Sequence, residues 1–350
     1  MGFLESLTSL LLTIVPLLSV LAVWIGSLFD QRFANAVYKV HLLRLGLTHL
    51  LMSTDRKWKK THEADAILGA SDDKKQVIFI RHGESKWNLV FNKGFGKDFP
   101  GRLGRALAEE ARVVTTLDSV FVDSPLSEEG CTQAKELKKF VEGGSGALNG
   151  VLRGVEGESV LCASNLRRAL STATIAMWDR LQRTQEKVHI LSCLQEVTFN
   201  IDGVALAKPQ GFPELCHEEL EAFGMSSKTF QPERYYNASE NDGDKPVNSH
   251  GIDRIREFCQ WCFERDEPTI IAAGHSLYFR YFFDTFLPKS SAHEARRDKM
   301  ENCAVVSFTL YRAKPSKSGA KYHYRVDEQS IKADYLGFAQ PKKKKAKKND

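Results

Sequence analysis

Four polar motifs, each directly after a run of β-forming residues, supply the groups that could do chemistry in this chain. Arg81, His82 and Glu84 follow "QVIFI", and Arg168 follows "SVLCA" within "SNLRR". Glu196 follows "KVHIL" within "SCLQE", and His275 and Ser276 follow "TIIAA" in "GHS". Two arginines, two histidines and a carboxyl group suit a phosphomonoester. Arginine's planar fork grips phosphate oxygens in bidentate fashion and stays charged at any working pH. A neutral imidazole can attack phosphorus. A carboxyl group can protonate the leaving oxygen and then activate water. Backbone N–H groups of a helix starting after His275 add donors for the transferring phosphoryl. Arginine brings the charge neutralisation a metal would otherwise supply, so the set calls for no metal and no cofactor. Taken singly, His82 reads as a hydrogen-bonded strand-end histidine, Arg168 as a surface charge and Glu196 as a cap.

The elements that must position these residues repeat one theme: a short β-branched run, a polar motif, an amphipathic helix. After "SNLRR" the stripe Leu166, Ala169, Leu170, Ala173, Met177, Leu181 recurs at helical spacing. Further strands are expected at 303–312 and 321–327. Alternating strands and helices predict an α/β fold, a three-layer α/β/α sandwich with a largely parallel central sheet. Ligands bind beyond the carboxyl ends of such strands, where every motif sits. Two irregular segments, 89–122 and 205–250, read as insertions. Their Lys93, Lys97, Arg102, Arg105, Lys208 and Arg234 either read an acidic substrate or keep loops in solution.

Motif order and spread resemble the histidine phosphatase superfamily, in its phosphoglycerate-mutase-like branch. The resemblance rests on "RHGESKWN" (81–88), "DSPLSEEGCTQA" (123–134), "SNLRRALSTA" (164–173), "LQE" (194–196) and "AAGHSLYFR" (272–280). It implies that His82 is the nucleophile, forming a phosphohistidine, and that Glu196 is the proton donor. Arg81, Arg168 and His275 would form the phosphate pocket, with Asn88 and Ser276 as further phosphate contacts. Glu84 is expected to be structural. Arg167 neighbours Arg168, but Ser164, Leu166 and Ala169 set the family spacing around Arg168. The mutase segments "FTGW" and "RHYGxLQG" are missing, which points to a phosphatase. The alternatives are a phosphoglycerate-type mutase and an inactive phosphate-binding or scaffold module. A phosphorylated small molecule, a lipid headgroup or a phosphoprotein all remain open as substrate.

Outside the domain expected at 76–335, the chain ends carry address signals. Ser6–Phe29 contains no charged residue and is long enough to cross a hydrocarbon core of about 30 Å. Residues 1–35 therefore read as an uncleaved N-terminal transmembrane helix rather than a signal peptide, since "MGFLE" lacks a basic residue. Basic residues follow the span and none precedes it, which places the catalytic domain in the cytoplasm of a single-pass membrane protein. Residues 36–75 read as an amphipathic helix followed by a linker. Apolar positions 36, 40, 43, 47, 50 and 51 suit either the membrane surface or packing on the main domain. A chain starting near Ser53 is expected to be soluble unless that helix belongs to the core. The tail 336–350 is lysine-rich, and "KKND" resembles a dilysine retrieval signal of the endoplasmic reticulum. "MGFLES" fits a myristoylation pattern poorly, because Phe3 is bulky. The sequon at Asn237 matters only for the reversed topology. The net charge of +5 is largely that tail, so no nucleic-acid partner is expected. Seven cysteines without regular spacing fit reduced thiols, and Cys259 and Cys262 fall on the apolar side of a helical pattern.

Overall fold

The computed structural model describes residues 14–15, 18–58, 63–66, 73–313 and 322–339. Its centre is an eight-stranded mixed sheet. The strands are β1 (Lys74–Arg81), β2 (Ser159–Ser164), β3 (Val188–Leu191), β4 (Tyr236–Asn237), β5 (Thr269–Gly274), β6 (Val305–Ala313), β7 (His323–Val326) and β8 (Lys332–Tyr335). They lie in the order β4-β3-β2-β5-β1-β6-β7, and β8 also pairs with β6. The first five strands are mutually parallel, whereas β6, β7 and β8 form an antiparallel edge. The sheet is thus mixed, where the sequence led us to expect a largely parallel one: after the helix Ser276–Phe286, residues 287–304 bring the chain back to the carboxyl end of β1, and β6 runs antiparallel to it.

The principal helices are α1 (Gln31–Met52), α2 (Phe99–Arg112), α3 (Glu128–Gly143), α4 (Arg167–Ala176), α5 (Gly251–Glu264) and α6 (Ser276–Phe286). Alternation along β1 feeds two cores. Val77 and Phe79 pack with Phe258, Phe279, Phe282 and Phe283 of α5 and α6. Ile78 and Ile80 pack with Leu137 and Val141 of α3 and Leu170 and Ala173 of α4. Helices on both faces make three layers. Cys259 and Cys262 are buried on the α5 side. Arg81 is in register with Gly274, and Ala163 with Ala273. The carboxyl ends of β1, β2 and β5 are therefore level, and the motifs after them meet.

Helix α1 packs on this body with an unexpected face. Lys39, Leu42, Gly46 and His49 are its buried residues. Leu42 joins Val122, Val204 and Leu206 in a small cluster. Lys39 Nζ donates to the Val113 and Asp118 carbonyls (2.8 and 2.6 Å) and pairs with Glu110 at 3.1 Å. The apolar stripe read from the sequence points the other way: Val40 is 68%, Leu43 44%, Leu47 45%, Leu50 47% and Leu51 82% exposed. Residues 36–52 thus belong to the packed body while keeping an uncovered apolar face.

No helix among the described residues is long and apolar enough to cross a membrane. Of the expected span Ser6–Phe29, residues 6–13 and 16–17 lie outside the described residues, and 14–15 and 18–26 are helical. Residues 340–350 of the lysine-rich tail and the "MGFLES" signal also lie outside them.

Candidate active site

β1 ends in Arg81, and the next residue turns into the crevice. The His82 N–H donates to the Gly274 carbonyl (3.1 Å), tying the motif to the end of β5. His82 Nδ1 lies 2.6 Å from the Gly83 carbonyl oxygen. That oxygen only accepts, so Nδ1 carries the proton and Nε2 keeps its lone pair. Burial, reinforced by the charges of Arg168 and Arg81, holds the His82 ring well below the usual histidine range. A neutral imidazole with a free Nε2 is the state a nucleophile needs. Gly83 has no room for a side chain, since a Cβ there would sit 2.7 Å from the Gly130 carbonyl oxygen. The motif is pressed that closely onto the start of α3.

The guanidinium groups around this ring are held by acceptors beneath them. Arg81 donates to the Met300 carbonyl at 2.5 Å; burial brings its pKa down to about 10, which leaves it charged at neutral pH. Arg168, in the first turn of α4, donates to the Asp202 carbonyl at 2.8 Å and faces the Asp202 carboxylate at 3.4 Å. Its Nε has no partner among the described residues. Arg167 is as buried as Arg168 but is spent on structure: it binds the Asp123 and Ser119 carbonyls and the Asp118 carboxylate. Asp123 sits in the left-handed region (φ 47°) and receives the Arg167 N–H at 2.9 Å, fixing where α4 starts. Burial pushes its carboxyl up to about 6, against the pull of Arg167 and Arg168.

His275 caps α6 and is fully buried, its ring centroid 5.1 Å from that of His82. Nε2 lies 2.9 Å from Ser164 Oγ, and Nδ1 has no partner among the described residues. Burial and the charges of Arg168, His82, Lys245 and Arg81 keep this ring neutral as well. Glu196 sits over the start of α6. Its Oε1 accepts from the N–H groups of Tyr278 (2.8 Å) and Val197 (2.9 Å), and Oε2 from that of Leu277 (3.3 Å). The helix start expected to serve phosphate is thus partly occupied by Glu196, because a carboxylate is itself an anion satisfied by those donors.

The crevice has a volume of about 310 Å³. Arg81, His82, Asn88, Arg168, Glu196 and Ser276 line it, while His275 is fully buried next to the His82 ring. Glu84 is turned away, binding Ser127 Oγ at 3.0 Å and Lys93 at 3.1 Å. The basic residues of the two insertions do not line the crevice: Lys93 is on Glu84, Arg102 on the Gly94 carbonyl, Lys208 over Tyr38 and Arg234 on Gln185. Residues that sequence reasoning missed line it instead, namely Arg56, Asp202, Arg280 and Lys299. Arg280 stood inside the quoted motif "AAGHSLYFR"; Asp202 and Arg56 gave no signal.

The stretch read as a linker does two jobs. Asp55, only 1% exposed, pairs with Lys245 (2.8 Å) and Arg254 (2.7 Å) and accepts the Thr198 N–H at 3.0 Å. Lys245 Nζ donates in turn to the Glu196 and Thr198 carbonyls, both at 2.6 Å. This network clamps the segment that carries Glu196, and the next residue, Arg56, enters the crevice. Among the described residues there is no group of three or more His, Cys, Asp or Glu that could hold a metal.

Comparison with known proteins agrees with the motifs. The family model described as histidine phosphatase superfamily (branch 1) matches residues 119–320, more than half of the chain. The chain belongs to the histidine phosphatase superfamily. The recognition made from the sequence is borne out, as is the reading of the chain as a phosphatase of that superfamily. The matched stretch begins downstream of the His82 motif. No curated protein matches the sequence. Solved structures that resemble it include a mycobacterial glucosyl-3-phosphoglycerate phosphatase (14% identity, covering 72% of this chain and 97% of that one, TM-score 0.36). Others are a phosphoserine phosphatase from Entamoeba histolytica (17%, 74% and 97%, 0.35) and an ecdysone phosphate phosphatase from Bombix mori (16%, 71% and 96%, 0.33). Likeness at this level carries nothing about substrate.

Proposed function

We propose that the protein is a metal-independent phosphomonoester hydrolase that works through a phosphohistidine on His82. His82 Nε2 attacks phosphorus, the P–O bond to the leaving group breaks, and Glu196 gives that oxygen its proton. Water then attacks the phosphohistidine, Glu196 takes a proton from it, and the N–P bond breaks to release phosphate. Arg81 and Arg168 hold the phosphoryl oxygens, with Asn88, Ser276 and the unpartnered Nδ1 of buried His275 completing the pocket. The observation that carries this reading is the neutral His82, its Nε2 without a hydrogen bond among the described residues, beside the buried Arg168 and the half-buried Arg81. In this arrangement Glu196 Oε1 is held by two short N–H contacts, which leaves Oε2 to move the proton.

The same proposal places the protein on a membrane, catalytic body in the cytoplasm, with the endoplasmic reticulum as its address. In support stand the charge-free Ser6–Phe29 and, directly after it, the uncovered face Val40, Leu43, Leu47, Leu50 and Leu51. An apolar helix face next to an apolar segment suits burial at the headgroup boundary.

Turnover of phenyl phosphate by a chain beginning at Asp30, in the presence of chelator, tests the chemistry. Hydrolysis that is lost in His82→Ala, with acid-labile phosphate trapped on the wild type, is the expected result. Hydrolysis that survives His82→Ala, or none from folded wild type, would sink the proposal.

A further inference from the structure

The crevice carries more positive charge than one phosphate uses. Arg168 already faces Asp202, and with Arg81 it answers the scissile phosphate. Three more cations line the same space: Arg56, Arg280 and Lys299. None of them makes an ion pair with an acid among the described residues, although Glu196 attracts Lys299 across the crevice. Arg56 donates its Nε–H to the Val197 carbonyl at 3.1 Å and lies 4.6 Å from the centre of the Phe199 ring. Arg280 lies 5.2 Å from the centre of the Tyr281 ring. Lys299 is pushed down by burial and by Arg81, Arg280 and Arg56, although Glu196 opposes them, so the cations repel one another. Like charges gathered in a cleft are costly until an anion joins them. A second cleft, of about 600 Å³, adjoins the first and shares Arg56 and Arg280 with it. Its wall includes the edge-to-face pair Trp58 and Tyr281, ring centres 5.0 Å apart.

We propose that the substrate carries a second anionic group, a phosphate or a carboxylate, which Arg56, Arg280 and Lys299 hold at the partition between the two spaces. The body of a larger substrate has room to continue along Trp58 and Tyr281. This rests on the phosphohydrolase reading above and names its substrate class.

The test compares alkanediol monophosphates of three, four and six carbons with the matching bisphosphates and ω-carboxylates, using the full chain in detergent. At the fitting length kcat/KM should favour the second anion by about tenfold or more, chiefly through KM. A preference for the bisphosphate over the carboxylate assigns the second group as phosphate, and the reverse assigns a carboxylate; either supports the subsite. In Arg280→Ala, whose guanidinium donates no hydrogen bond among the described residues, the preference should fall about tenfold, and similarly in Arg56→Gln. Arg234→Ala, far from both clefts, should keep it. Equal handling of all three series by the wild type, or a preference unchanged in both variants, overturns the inference. Should the wild type hydrolyse none of them, the hydrolase reading fails, and calorimetric binding of the same ligands still decides the subsite: equal affinities overturn it and tighter dianion binding supports it.

Discussion

Replacing Asp55 by asparagine is the sharpest single test of how the site is held. The change keeps the shape and removes one charge, leaving Lys245 and Arg254 buried around a neutral amide. Breaking a buried ion pair by removing one partner costs about 3–5 kcal/mol. Against a typical total of about 5–15 kcal/mol, that is a large share of the fold's stability. The pH dependence gives a second signature. Burial alone would raise the Asp55 carboxyl, but Lys245 and Arg254 outweigh it and hold the group below its ordinary value. A depressed acid contributes stability that is fully present above its unfolded value, about 3.9, and is lost as pH falls through the folded value. Urea unfolding of a chain beginning at Asp30, followed by tryptophan fluorescence, should therefore show a gap of about 3 kcal/mol or more between wild type and Asp55→Asn at pH 7. That gap should close below about pH 4. Because Lys245 also holds the Glu196 and Thr198 carbonyls, folded Asp55→Asn should turn over alkyl phosphates about tenfold more slowly. A gap under about 1 kcal/mol, or one that persists in acid, would refute the reasoning.

Glu196→Gln should slow alkyl phosphates far more than activated aryl phosphates, which need little help from an acid; equal losses, read from kcat on both, would remove Glu196 from that role. With His82 held well below the usual histidine range, the acid limb of kcat/KM should lie below about pH 6, where a solvent-exposed histidine would already have titrated. Two histidines buried neutral also each remove about 1.4 kcal/mol of stability per pH unit once pH drops below about 6.5, a fall that the raised Asp123 carboxyl partly offsets, and His82→Gln should make the fall shallower in urea titrations. A chain beginning at Asp30 should co-sediment with liposomes, and Leu47→Glu with Leu51→Glu should release it; unchanged sedimentation would free the outer face of α1 from that task.

What could be read from the sequence was whatever is encoded locally. The expected strand 76–80 is β1 at 74–81, and the runs after Ser159, Lys187 and Pro268 are β2, β3 and β5 within a residue or two. A short run of β-branched and other apolar residues is a local property, and a polar motif after it marks the strand end. The helix after "SNLRR" divides at Met177, which caps one helix and opens Trp178–Thr184. The two-residue β4 and the exposed β8 have too little pattern to be seen. The decoy Arg167 could be told from Arg168 only through family spacing, since both are long, charged and buried. Asp55 could not be found at all. Its partners lie about two hundred residues along the chain, and nothing in "MSTDRKWKK" tells a buried aspartate from a solvated one.

That failure changes how the first 58 residues are understood. A chain cut near Ser53 was expected to stay soluble and active if α1 were only a membrane-side appendage. Yet such a cut bares Val122, Val204 and Leu206, which Leu42 covers, and frees Glu110 from Lys39. It also leaves Asp55 and Arg56 two or three residues from a loose end, although one clamps the Glu196 segment and the other lines the crevice. A cut before Asp30 spares all of this, since Asp30 caps α1 through the Arg32 N–H at 2.8 Å. The shorter chain should therefore lose activity through its acid: poor leaving groups suffer most, as in Glu196→Gln, while phenyl phosphate hydrolysis falls less. Equal activity of the two chains on both substrate types would mean that the packing of α1 and the Asp55 clamp are separate devices. A selective loss would mean that one continuous segment, from the packed face of α1 with Lys39 and Leu42 to the Arg56 guanidinium, sets the catalytic carboxyl in place.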